Sequence, residues 1–296
     1  MPSAALDTLL TAYLGLHAVL ALLIDVQSIL PDVAPAVYAL YERAGLTAVV
    51  AGWVKDEGDF LVGTNPLWFK SIVCVEILFQ APLCFALTWG FAKRRQWVRL
   101  PSLMYGAHVL TTMVPIMVVL CTDPRPTLTC KLVYAIWVFL PALLIARCAP
   151  GNLPLFDAPK RTLWKIALRP DVEKWEASAK LIGSTLDLGD DFLHTSDARM
   201  VRKVAAMFFK GQPALLLQID PDSLPPTARW LQGDDISDAA LITARSKEGG
   251  GGGDFVRLLP DGCAHLHLRA PLPMKCVVIK ALELKDGEHV FPPECA

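Results

Sequence analysis

Apolar residues in the first half of the chain fall into four runs, at 9–30, 68–91, 101–121 and 131–148. Each is close to the roughly 20 mainly apolar residues that a helix needs to cross the hydrocarbon of a bilayer, so the pattern predicts four membrane-spanning helices. After residue 160 the apolar runs shorten and charge is interleaved with them, as in a water-soluble domain. There, 161–166, 214–219, 255–259 and 275–284 read as strands and 171–179 and 197–210 as helices, with Val201, Val204, Ala205 and Phe208 on one face of the last. The predicted fold class is a membrane all-α four-helix transmembrane bundle followed by a small soluble α+β domain. Pro150, Gly151 and Pro154 break the fourth run. The expected divisions are a membrane domain over 1–150, a linker over 151–160 and a soluble domain over 161–296. Consecutive glycines within 246–254 predict a flexible surface loop.

Charge orients the spans. Lys93, Arg94, Arg95 and Arg99 crowd the connection between the second and third runs, whereas the other connections are mixed or acidic. The positive-inside rule places that connection, and with four spans both termini, in the cytosol. The long connection 31–67 predicts one helix over 38–54 across the opposite mouth, followed by acidic Asp56, Glu57 and Asp59. Cys121 and Cys130 bracket the third connection, where an oxidising compartment would allow a disulfide; two reduced cysteines at helix ends is the alternative. Asp25 and the lack of a basic leader argue that the first run is a retained span and not a secretory signal. A net charge of -1 with thinly spread Lys and Arg gives no basis for nucleic-acid binding, and no Cys/His spacing suggests a metal or cofactor. The expected partners are the bilayer, a ligand within it, and a membrane-protein partner or second copy of the chain.

Polar groups inside the runs carry the candidate chemistry. A carboxylate at the centre of a bilayer costs about 3 kcal/mol on insertion scales, so Glu76 requires a cavity or a partner. Gln80 lies one turn beyond it. His17 and Asp25 are eight apart in the first run, about 80° from alignment at 100° per residue. Tyr105, His108 and Thr112 share a face of the third run, and Tyr134, Trp137 and Pro141 a face of the fourth. Pro82, Pro115 and Pro141 free the carbonyls of Leu78, Thr111 and Trp137 for another partner. Each group has a plainer alternative: the aromatics as packing, Thr111 and Thr112 bonding their own helix, and His17 and His108 as bridges between helices. Converging carboxylates suit a lipophilic cation, a reaction that develops positive charge, or proton donation to a carbon skeleton.

The stretches LLIDVQSILP at 22–31, PLWFKSIVCVEILFQAP at 66–82 and MYGAHVLTTMVPI at 104–116 resemble the EXPERA family, in its sigma-2 receptor-like branch. The resemblance covers about 8–149 and implies a four-span endoplasmic reticulum protein. It implies that Asp25 engages the amine of a sterol or other lipophilic amine ligand, that Asp59 supports it, and that His17, Glu76, Gln80 and Thr111 line the pocket. Trp137 stands where those relatives have a tyrosine. The lysine-rich retention tail of the branch is absent. EXPERA proteins also include sterol double-bond isomerases that work with His and Glu, but their pattern is not reproduced residue for residue. The implied function is sterol or sterol-like cation binding linked to lipid homeostasis or trafficking. A sterol isomerase using the intramembrane carboxylates and a non-catalytic membrane scaffold stand as alternatives.

In the tail, Trp164, Trp175, the segment DFLHTS at 191–196 and HLRAPL at 267–272 resemble the domain of unknown function numbered 952. The family's histidine and serine are kept as His194 and Ser196, and a later histidine as His267. Arg269 replaces its tyrosine, and Leu231 follows Trp230 where a glutamate is usual. The resemblance implies a fold similar to ADP-ribosyltransferases, whose histidine and hydroxyl contact the NAD ribose. Loss of the glutamate argues against that catalysis. His265 and His267 alternate as on one strand face.

Overall fold

The computed structural model describes residues 3–149, 151, 153–246 and 253–295 and divides into two compact units, Met1–Leu155 and Phe156–Ala296. In the first unit, α1 (Ser3–Leu23) passes into a 3₁₀ turn, Asp25–Ser28. Short helices α2 (Leu30–Val33), α3 (Pro35–Arg43), α4 (Leu46–Glu57) and α5 (Phe60–Thr64) make the long connection. The single helix expected over 38–54 is therefore two. Gly45 adopts φ 76, a left-handed conformation that ends α3 and admits α4. Gly58 ends α4 at φ 67, and a Cβ there would meet the Arg125 carbonyl oxygen at 2.2 Å. Only glycine fits where this connection passes the loop before the fourth span, which donates Thr127 N–H to the Glu57 carbonyl at 2.9 Å.

The second span comprises α6 (Leu67–Val75), a π-helical turn (Glu76–Gln80) and α7 (Ala81–Ala92). Pro82, at the start of α7, has no N–H and its ring crowds the carbonyl of a preceding α-turn; the wider π-turn relieves that crowding. The remaining spans are α8 (Arg99–Thr122), containing Pro115, and α9 (Leu128–Cys148), containing Pro141 and capped by Thr127. These helices, with α1, are long and apolar enough to cross a membrane, and the chain is a multi-pass membrane protein. Leu10, Leu14, Leu87, Leu120 and Leu144 fill the interior. Outward-facing Leu16, Leu78, Phe85, Val114, Leu132 and Phe139 present an apolar exterior, as hydrocarbon surroundings require. Cys121 is exposed at the end of α8 and Cys130 is buried in the first turn of α9, so the expected bridge is absent: the two thiols leave their helices toward different surroundings.

The second unit is α+β. Its elements are β1 (Leu163–Leu168), α10 (Arg169–Ser178), β2 (Lys180–Leu181), α11 (Thr185–Asp190), β3 (Leu193–Ser196), α12 (Ala198–Phe208), β4 (Ala214–Ile219), β5 (Arg229–Gln232) and α13 (Asp238–Arg245). They continue as β6 (Phe255–Leu258), β7 (Cys263–His267), β8 (Leu272–Pro273), β9 (Val277–Ala281), β10 (Glu283–Lys285) and β11 (Glu288–Val290). The main sheet runs β5-β6-β7-β3-β1-β4-β9, antiparallel except for β5 with β6. Strand alternation sends Leu163 and Ala167 into one core with Trp175 and Leu217, and Trp164 and Ile166 into another with Val201 and Ala205 of α12. The strand expected over 275–284 is instead a 3₁₀ turn, β9 and β10, and β10 leaves the main sheet to pair with β11. The glycine run predicted to be a loop lies mostly outside the described residues, which exclude 247–252.

Candidate functional site

The polar groups of the spans converge on one cavity of about 400 Å³. Its wall includes His17, Asp25, Asp59, Glu76, Gln80, Thr112, Tyr134 and Trp137 among mostly apolar neighbours such as Leu20, Ile24, Phe69, Ile72, Val109, Met113 and Ile116. Two helix irregularities build the site. The π-turn before Pro82 carries both Glu76 and Gln80, and the break after α1 lets the 3₁₀ turn present Asp25.

The three carboxylates differ in what they already hold. Asp59, wholly buried, caps α5 through Val62 N–H (3.2 Å) and accepts from Trp53 Nε1–H (2.9 Å) and Tyr134 O–H (2.8 Å). Glu76 Oε1 is 2.6 Å from His17 Nε2. On its other side, His17 Nδ1 is 2.5 Å from the Tyr105 hydroxyl, which is 2.8 Å from that of Tyr13. Glu76 thus ends a chain of four side chains running from α1 and α8 to the π-turn. Trp137 packs over His17 with ring centroids 4.7 Å apart. Asp25, half-buried at the cavity wall, makes no hydrogen bond or ion pair among the described residues.

Two expected lining residues lie elsewhere. Thr111 is on the exposed side of α8 and bonds the Ala107 carbonyl at 2.8 Å; one position of helix rotation puts Thr112 on the wall instead. His108 stands behind the wall, 3.0 Å from Gln80 Nε2, and holds that amide in place. Sequence reasoning missed Trp53 altogether; it set Tyr105 on a polar face with packing as the alternative, and the Tyr105 hydroxyl lies against His17. The signal for Tyr13 was present, since it precedes His17 by four residues on one helix face. In the soluble unit, Ser196 is buried, His267 is wholly buried and His194 is partly exposed. Among the described residues no cluster of His, Cys, Asp and Glu is arranged to hold a metal ion.

Comparison with known proteins divides the chain at the same place. Residues 45–148 match the EXPERA family (EXPanded EBP superfamily), and residues 166–279 match DUF952, a protein family of unknown function. Sigma intracellular receptor 2 of Homo sapiens is 31% identical over 112 residues, covering 38% of this chain and 60% of the receptor, so the chain spans about three-fifths of that relative's length. The Xenopus tropicalis protein of the same name is 29% identical over 146 residues, covering 45% of this chain and 81% of the relative. Among solved structures, the crystal structure of CC0527 from Caulobacter crescentus is 24% identical over 44% of this chain and 94% of that one, with a TM-score of 0.30. The solution NMR structure of CC0527 covers 43% and 90%, with a TM-score of 0.27.

Proposed function

We propose that this chain, an EXPERA-type membrane domain joined to a DUF952 domain, binds a sterol or sterol-like lipophilic cation in the cavity between its spans. The observation that carries this reading is Asp25: a carboxylate on a mostly apolar wall, without a hydrogen-bond or ion-pair partner among the described residues, beside two carboxylates that already have theirs. Leaving a charge in such surroundings is costly, and an ammonium group on the ligand would supply the missing counter-charge. The rigid apolar walls suit a fused-ring skeleton. Glu76 and Gln80 are the polar lining deeper in the cavity, and Asp59 fixes the connection before the second span. An endoplasmic reticulum location, cytosolic termini and a role in lipid or sterol homeostasis or trafficking belong to the same proposal, supported by the likeness to sigma intracellular receptor 2 and by the basic connection between the second and third spans.

Equilibrium binding of a sterol-like tertiary amine to the detergent-purified protein tests this. Removing one partner of a desolvated charge pair costs about 2–5 kcal/mol, so Asp25→Asn is expected to weaken the amine about 30-fold or more while sparing a neutral sterol of the same shape. Unchanged amine affinity would sink the assignment. A second reading, sterol double-bond isomerisation, is favoured by the 2.6 Å contact between His17 and Glu76, an acid–base pair at the cavity wall. Mass spectrometry of sterol incubated with wild type and Glu76→Gln separates the two: a rearranged product lost in the variant makes the protein an isomerase.

A further inference from the structure

Two imidazole–carboxylate pairs meet on one face of the soluble sheet. His194 of β3 and His265 of β7 are register partners in an antiparallel ladder, so their side chains leave the same face, with ring centroids 5.1 Å apart. Phe192 covers both, 4.7 Å from His194 and 4.3 Å from His265, nearly parallel to the latter.

Each ring is oriented through Nδ1. His194 Nδ1 lies 3.0 Å from Asp187 Oδ1, and His265 Nδ1 lies 3.0 Å from both oxygens of Asp238. Burial opposes charge on Asp187, but its bond from His194 and the buried ammonium of Lys165, 2.8 Å away, hold it well below the ordinary carboxylate range. Burial likewise opposes charge on Asp238, and donation from His265 and from His267 Nε2 (2.8 Å), with Arg257 at 2.6 Å, holds it down. An ionised carboxylate only accepts, so each neutral ring carries its hydrogen on Nδ1 and leaves Nε2 as the proton-transfer atom.

The two Nε2 atoms are not equivalent. That of His265 has no partner among the described residues, and burial, only partly offset by Asp238, pushes this imidazole below its usual value. That of His194 faces the half-exposed Asp190 carboxylate at 3.3 Å. The side chain of His194 is 32% exposed, so the pair opens to solvent. Thr195 Oγ1 is engaged with the Ala264 carbonyl and Ser196 is buried, so an attacking oxygen must come from water or the substrate.

We propose that this cluster is an acid–base site for hydrolysis of a phosphodiester, with His265 as base and His194 as acid. In-line displacement at phosphorus needs a base for the entering oxygen and an acid for the leaving one within the span of one phosphate, which two adjacent imidazoles supply, one with a bare Nε2 and the other with Nε2 facing a carboxylate. His265 Nε2 takes a proton from water as its oxygen forms the new P–O bond. The P–O bond to the leaving oxygen breaks, and His194 Nε2–H protonates that oxygen. The products are a phosphomonoester and an alcohol, and proton exchange with solvent restores the pair. His267, with Nε2–H on Asp238 and Nδ1 unpartnered, is a positioning residue that keeps Asp238 aimed at His265. The charged groups facing the pair are Lys165 of β1, Asp187 and Asp190 of α11, Asp238 and Arg245 of α13, Arg257 of β6 and His267 of β7.

The test uses the full-length protein in detergent with bis(p-nitrophenyl) phosphate and 2′,3′-cyclic AMP as probes, between pH 5 and pH 9. Turnover with a bell-shaped pH profile is expected. His265→Asn should lose the acidic limb and His194→Asn the alkaline limb, each lowering turnover about 100-fold or more, while amine binding in the membrane cavity is unchanged. Asp190→Asn, at the surface, removes the carboxylate facing His194 Nε2 and should lower turnover of both probes without affecting folding; unchanged turnover overturns the role given to His194. Failure of the wild type to cleave either probe, or turnover that survives both histidine substitutions, overturns the proposal.

Discussion

The two halves of the chain use the same pair of groups, imidazole and carboxylate, in opposite balance. In the membrane cavity Asp25, Asp59 and Glu76 line the wall with one histidine, and Asp25 is left without a hydrogen-bond or ion-pair partner among the described residues. In the soluble unit Asp187 and Asp238 share Lys165, Arg257, His194, His265 and His267. A deficit of positive charge in low dielectric favours a ligand that brings it; a cluster that balances its own charge is stable without a ligand and free to move protons.

The largest expected effect comes from unbalancing the soluble cluster. Lys165→Met leaves Asp187 buried without its ammonium, and breaking a buried pair costs about 3–5 kcal/mol. Amide exchange of β1 and β3 peptides, followed by mass spectrometry, should accelerate by more than a hundredfold. Exchange at the wild-type rate would show that the balance contributes nothing to stability.

Next is Tyr105→Phe, which removes the hydroxyl between His17 and Tyr13. Leaving buried partners unsatisfied costs about 1–3 kcal/mol. A lower thermal midpoint in detergent is expected, and if the chain orients His17 toward Glu76, ligand affinity falls too. Loss of midpoint with full affinity would confine Tyr105 to packing.

Acidification should act on the soluble half. Burial is the main cause that pushes His265 and His267 below their usual values, so the unfolded chain takes up protons before the folded one. Stability from these groups is complete above about pH 6.5 and is lost as pH falls through the depressed folded values. Asp187, also depressed, adds a loss that begins below about pH 4. Exchange of β7 peptides at pH 5 against pH 7.5 measures the first window, and equal protection at both would contradict it.

The smallest effect expected is at Trp137. Trp137→Tyr places a hydroxyl on the wall beside His17 and should change affinity less than about tenfold, since one hydrogen bond contributes about 0.5–1.5 kcal/mol. A larger change would make this position a determinant of ligand choice.

Hydropathy alone determined the four spans, because a segment in hydrocarbon must satisfy its own backbone and advertises this as a long apolar run. The same scarcity of charge singled out Glu76 and Asp25. Helix spacing set Thr112 on the inward face, whereas Thr111, implied by the family resemblance, lies on the exposed side of α8, and spacing could not foresee Trp53 reaching Asp59 from a separate helix across Gly58. In the soluble half, β3 and β5 went unread, and β7 showed only as the alternation of His265 and His267. Their pairing, which sets His194 opposite His265, joins positions 71 residues apart and depends on the register of the whole sheet. Local pattern fixes which residues are apolar and where the chain can turn. Which of its few charged groups find partners was decided only when the helices and strands packed.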